Sequence, residues 1–187
     1  MIKEEKTSSE IGIKGGPNLN RDILSFIDKY VKDIIVNSAD MFIGAGFSKS
    51  AGYVDWKNLL RNVAEDLDLD VDKEYDLVSL AQYCYNKNGN RSIINDVIFD
   101  EFTKEKEVDE NHRIIARLPI STYWTTNYDS LIEDALIEAK RVVDVKYNNK
   151  QLSLTKPHRD AIVYKMHGDR SNPDEAILIK DDYEKYY

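Results

Sequence analysis

The chain has 187 residues, long enough for one domain with a real core, and its 42% hydrophobic and 32% charged residues describe an ordinary soluble globular protein. A formal net charge of −8 argues against a broad nucleic-acid footprint, and the single cysteine, Cys84, excludes an internal disulfide and any multi-cysteine zinc module. No apolar run approaches the roughly 18 residues of a membrane span, and no signal-like apolar region opens the chain, so a cytoplasmic protein without a membrane partner is expected.

Residues 1–20 read as a flexible lead-in, and 21–187 as one domain. Ile23, Ile27, Tyr30, Val31, Ile34 and Ile35 recur at helical spacing, with Asn20 as N-cap. Met41 to Ile43 is expected to be a short buried strand before a glycine turn. Three helical patterns follow: Trp56 to Leu67 with Asp55 as cap, Leu77 to Cys84, and Ile94 to Phe102; His112 to Leu118 adds a short fourth. Together they predict a helical insertion over about 56–118 at one end of a sheet. Strands are expected again at 121–125, 142–147, 161–166 and 176–179, with a helix over 128–140 and a polar connection over 148–160. This alternation predicts an α/β fold, a Rossmann-like open parallel sheet with helices on both faces. The end of the chain, from Asp181, resembles the first turns of a helix without a stop signal, so truncation at the C-terminus is expected.

Three polar constellations fall at predicted strand ends, where ligands of open α/β sheets bind. The first is Gly44-Ala45-Gly46-Phe47-Ser48, whose glycines let backbone approach a ligand closely or permit positive φ, and whose following amides favour phosphate oxygens. It is equally readable as a structural turn, because Lys49 stands where a dinucleotide fingerprint wants a third glycine. The second is Thr125-Thr126-Asn127-Tyr128-Asp129; its Asn127 and Asp129 could hold a ligand or simply cap the next helix. The third is Lys165-Met166-His167-Gly168-Asp169, whose histidine could act as a base near neutral pH or serve a structural hydrogen bond.

The order and wording of these motifs resemble the sirtuin family: Gly44-Ala45-Gly46-x-Ser48, then Gly52-Tyr53-Val54-Asp55-Trp56-Lys57, then Thr126-Asn127-Tyr128-Asp129, then His167-Gly168. The departures, above all the missing zinc cysteines, make the chain more similar to one branch, the sirtuin-like NAD-hydrolysing effectors of the Thoeris anti-phage system. The phrases Tyr164-Lys165-Met166-His167-Gly168-Asp169 and Ile179-Lys180-Asp181-Asp182-Tyr183 carry that similarity.

The resemblance implies NAD+ as substrate, no metal, and cleavage of the nicotinamide–ribose bond to ADP-ribose and nicotinamide. It implies Asn127 and His167 as catalytic residues. It also implies Gly44, Ala45, Gly46, Phe47, Ser48, Asp55, Trp56, Thr126, Asn127, Asp129 and His167 as the dinucleotide-binding set. A homo-oligomer and a C-terminal nucleotide-sensing domain in the parent protein are implied as well. The alternatives are a sirtuin-type protein deacylase or ADP-ribosyltransferase, and an NAD-binding sensor without turnover.

Overall fold

The computed structural model describes residues 20–186; the expected lead-in, Asn20 apart, lies outside them. Helix α1 (Arg21–Ile35) begins where expected, with the Asn20 side chain accepting from the Ile23 amide at 2.8 Å. Its apolar stripe is not covered as its spacing predicts. Only Ile34 is buried, while Phe26 and Ile35 remain 66% and 71% exposed.

Four short strands form one parallel sheet: β1 (Met41–Ile43), β2 (Thr122–Thr125), β3 (Val143–Lys146) and β4 (Ala161–Lys165), in the order β1-β2-β4-β3. The register aligns Ile43 with Thr125 and Thr125 with Lys165. The three strands that precede the polar motifs therefore end at one level. Alternation along the strands points Ile43, Tyr123, Ala161 and Val163 into the core. That face packs against α8 (Leu131–Glu138), whose Leu131, Ile132, Ala135 and Leu136 are buried in turn. Each fully buried Leu or Ile side chain among them contributes about 1.5–3 kcal/mol. The opposite register is less covered: Phe42 is 65% exposed, and Trp124 stacks on Tyr164 at 4.3 Å.

Between β1 and β2 runs the helical excursion: α2 (Ala45–Ser48), a 3-10 turn (Lys49–Ala51), α3 (Trp56–Leu59), α4 (Arg61–Glu65), α5 (Leu77–Asn88), α6 (Ser92–Phe102) and α7 (Glu110–Arg117). The single helix expected over Trp56 to Leu67 is broken at Leu60, where ψ is 6°, yet the predicted apolar face is the buried one. The polar connection after β3 holds one turn of helix, α9 (Asn149–Leu152), and the described chain ends in α10 (Lys180–Tyr186).

Ala176–Ile179 is not the strand its apolar run suggests. Its backbone groups are already taken: the amide of Ile177 donates to the carbonyl of His167, and the amides of Leu178 and Ile179 donate to the Asp182 carboxylate. Tyr128 and Arg91 bond the carbonyls of Ile177 and Ala176. Since β4 is flanked by β2 and β3, no sheet edge is open beside it.

Candidate active site

The turn after β1 forms because Gly44 leaves the strand with extended backbone (φ −111°, ψ 177°) and caps the four-residue α2. The first-turn amides of Ala45 and Gly46 have no intrahelical partner by the geometry of a helix start. Neither glycine uses positive φ, and a Cβ at either would meet no atom within 4 Å. Their merit is an open backbone face rather than an unusual conformation. Gly52, Gly89 and Gly168 are the described glycines with positive φ, and Gly168, at φ +94°, also has a Cβ position only 3.0 Å from the Ala176 Cα.

The loop after β2 reaches back to this turn. Asn127, 5% exposed, donates from Nδ2 to Ser48 Oγ at 2.9 Å and to the Gly44 carbonyl at 3.3 Å. Its own amide donates to Thr125 Oγ1, which fixes the loop. Asn127 Oδ1 is buried and has no hydrogen-bond partner. The capping alternative does not describe Asn127; Asp129, one residue before the N-cap Ser130, accepts from the first amide of α8, that of Leu131, at 3.0 Å. Helix α8 begins at Leu131, three residues later than the start of the expected range, 128–140.

His167 sits on the turn after β4, half-buried between two aromatic rings. Trp56 meets it edge-on at 6.1 Å and Tyr183 at 5.5 Å, nearly perpendicular. Its Nδ1 is buried without a partner, and burial pushes its pKa below the usual imidazole value. A neutral imidazole can accept a proton or a hydroxyl hydrogen bond, as a base or ribose ligand requires.

Ala45, Ser48, Trp56, Thr126, Asn127 and Asp129 all line one cavity, closed further by Tyr53 and Phe102. It measures only about 10 Å³, room for about one water. The much larger hollow of 810 Å³ lies near Ile34, Pro119 and Arg141, at the opposite end of the strands, away from the motif residues. Chemistry points to the small cavity, where the unsatisfied polar atom and the helix start converge.

Of the expected set, Gly44, Gly46, Phe47, Asp55 and His167 do not line this cavity. Phe47 turns toward the insertion and meets the His112 ring at 4.6 Å. Asp55 caps α3 through the Asn58 amide and pairs with Lys49 at 3.2 Å; the Asn58 bond chiefly holds its carboxyl below the ordinary value. Sequence reasoning passed over Tyr183 and Lys165. Lys165 was detectable, as a charge in phase with Ala161 and Val163 on the core-facing side of β4. Among the described residues no group of three or more His, Cys, Asp or Glu could hold a metal ion, and no helix is long and apolar enough to cross a membrane.

Comparison with known proteins agrees with the motif order. A family model described as a SIR2-like domain matches residues 121–187. A Bacillus cereus (strain MSX-D12) protein named NAD(+) hydrolase ThsA is 57% identical over 169 residues, 90% of this chain and 36% of that protein. Proteins of the same name from Acinetobacter baumannii (strain 532279) and Cytobacillus dafuensis are 53% and 50% identical over 86% of the chain, and 33% and 32% of their own lengths. The chain thus spans about a third of the length of the curated relatives it matches. Over residues 121–187 the chain is thus similar to a SIR2-like domain, and over nine-tenths of its own length it is similar to about a third of a protein named NAD(+) hydrolase ThsA.

Proposed function

We propose that this chain forms the NAD+-cleaving part of a longer NAD+ hydrolase, releasing nicotinamide and ADP-ribose. The observation that carries the proposal is the pairing of Asn127 Oδ1 and His167 Nδ1. These are two buried polar atoms without partners, one on the loop after β2 and one on the turn after β4: Asn127 lines the small cavity with Trp56, and the His167 ring, outside that lining, meets Trp56 edge-on. A buried acceptor left unsatisfied costs about 1–3 kcal/mol, which a ribose hydroxyl or a water would relieve.

Cleaving the N-glycosidic bond leaves a ribosyl carbon with oxocarbenium character. Nicotinamide departs from a cationic ring as a neutral molecule, so no strong general acid is needed. The protein has to orient the ribose, accommodate charge and place water on the open face. In this reading the α2 amides and Ser48 hold the diphosphate, Asn127 positions ribose and water, and His167 accepts a proton or a ribose hydroxyl bond. Asp129 orients the loop from behind. In this reading water is the acceptor.

The parent protein is read as a cytoplasmic homo-oligomer with a C-terminal nucleotide-sensing domain, acting in anti-phage defence; the names of the relatives support the hydrolase part of that reading. Incubation of the fragment and of the full-length parent with NAD+, following nicotinamide and ADP-ribose by chromatography, tests it. Stoichiometric release of both from the parent is expected. Deacylation of an acyl-lysine peptide would move the reading to a protein deacylase, transfer of ADP-ribose to protein would make it a transferase, and tight NAD+ binding without nicotinamide release would make it a sensor.

A further inference from the structure

Lys165 places an ammonium where the alternation of β4 leads to a hydrocarbon position, and it is 2% exposed. Four oxygens surround its Nζ: the carbonyls of Tyr128 at 3.1 Å and Asp129 at 2.6 Å, Glu133 Oε1 at 3.0 Å, and the Asp169 carboxylate. An ammonium has three protons, so every donor is committed. Burial works against its charge, but Glu133 and Asp169 beside it more than restore it. Burial raises the Glu133 carboxyl, whereas Lys165 outweighs burial at Asp169 and holds that carboxylate down.

Stability alone is a weak reason for such a group, because well-packed hydrocarbon of similar volume often does as well. What an ammonium adds is direction, and the direction here is specific. Two of its acceptors are the main-chain carbonyls that directly follow Asn127, and one is the side chain two residues after His167. It ties both loops to a single atom, alongside the direct bond from the Arg170 amide to the Tyr128 carbonyl at 3.1 Å.

We propose that Lys165 is a positioning residue for the cleavage reaction, holding the Asn127–Asp129 loop and the His167–Asp169 turn in one arrangement so that both act on the same substrate. The proposal rests on the NAD+-cleaving reading. Lys146 provides a matched control one strand away. It is buried to 7% exposure and paired with Asp144 at 2.9 Å and the Leu154 carbonyl, neither of which belongs to the two loops.

The test uses Lys165→Met, Asp169→Ala and Lys146→Met in the full-length parent, measuring kcat and KM for nicotinamide release, thermal melting, and crystal structures of the free proteins. Lys165→Met is expected to lower kcat about 100-fold with KM within about threefold, as for a misplacement near 1 Å. Asp169→Ala, which releases only the turn and keeps the buried ammonium paired to Glu133, is expected to lower kcat about tenfold. Lys146→Met should melt earlier with kcat unchanged. Equal loss of kcat in Lys165→Met and Lys146→Met, or a loss confined to KM, overturns the proposal. If Lys165→Met does not fold, Asp169→Ala decides, and unchanged kcat there is the overturning result. If the unmutated parent releases no nicotinamide, the hydrolase reading fails. The crystal structures then decide alone: displacement of the two loops in Lys165→Met or Asp169→Ala supports the positioning role, and unmoved loops refute it.

Discussion

Asn127 is held by its amide and offers its carbonyl. With Nδ2 committed to Ser48 and Gly44, Oδ1 is a buried acceptor without a partner, on a residue that lines the cavity. Asn127→Ala is expected to cut nicotinamide release by at least about 100-fold, in the range seen when one preorganised polar contact to a transition state is lost. A melting curve within a few degrees of the parent's should accompany it; equal NAD+ consumption by mutant and parent would remove Asn127 from the chemistry. His167 adds a pH signature. Its lowered pKa makes the imidazole neutral at pH 7, so kcat/KM should be flat from neutrality upward and fall as pH drops through the lowered value. The linkage sign follows: above about pH 6.5 both folded and unfolded forms are neutral, and below it the unfolded chain binds the proton first, so acid destabilises the fold. His167→Gln should abolish turnover and reduce that acid sensitivity in a series of melts between pH 5 and 7. Both residues were identifiable in the sequence from their place at strand ends. Which of their atoms stay unpaired was not, because Ser48 and Gly44 lie about 80 positions away from Asn127.

At the scale of elements, α3 closes the site. It is one turn long, is capped by Asp55, and brings Trp56 to the His167 ring, leaving a cavity of about 10 Å³ that cannot admit a dinucleotide. In the proposed reading, dinucleotide binding requires α3 or its flanking loop to move. Trp56→Ala is expected to raise basal turnover several-fold in the full-length protein, measured without activator; no increase would take this element out of the gating account. The other side of His167 is held by α10. Asp182 binds the amides that precede it and receives both short 2.7 Å contacts from Arg91 at the start of α6. The sequence predicted the helices of the insertion well, since Leu60, Val63, Leu80, Ile94 and Ile98 recur at helical spacing and are buried. It mispredicted Ala176–Ile179, because apolar content cannot show that Asp182, Tyr128 and Arg91 have already taken the backbone groups a strand would use.

In the whole molecule, Asp109 joins the insertion to the turn after β1. Its carboxylate caps α7 through the His112 amide, bonds the His112 ring at 2.6 Å and accepts from Ser50 Oγ. Burial pushes its pKa up, but Ser50 and His112 outweigh this and bring it to about 2. A lowered carboxylate stabilises the fold above its unfolded value near 3.8, and that contribution, about 2 kcal/mol, is lost as pH falls toward 2. Asp109→Asn is expected to lower stability at pH 7 by about 1–2 kcal/mol in denaturant titration and to flatten the loss between pH 4 and 2; an unchanged acid limb would contradict it. The sequence by itself determined the α/β alternation, the helical excursion after β1 and the three polar motifs at strand ends, since periodicity and the position of Gly, Asn and His are local properties. Only the tertiary structure decided that Asp55 and Phe47 turn away from the cavity, that α1 leaves its apolar stripe exposed, and that the buried Lys165 binds two loops at once. Those outcomes depend on which distant groups reach a given atom first, and no local pattern encodes that competition.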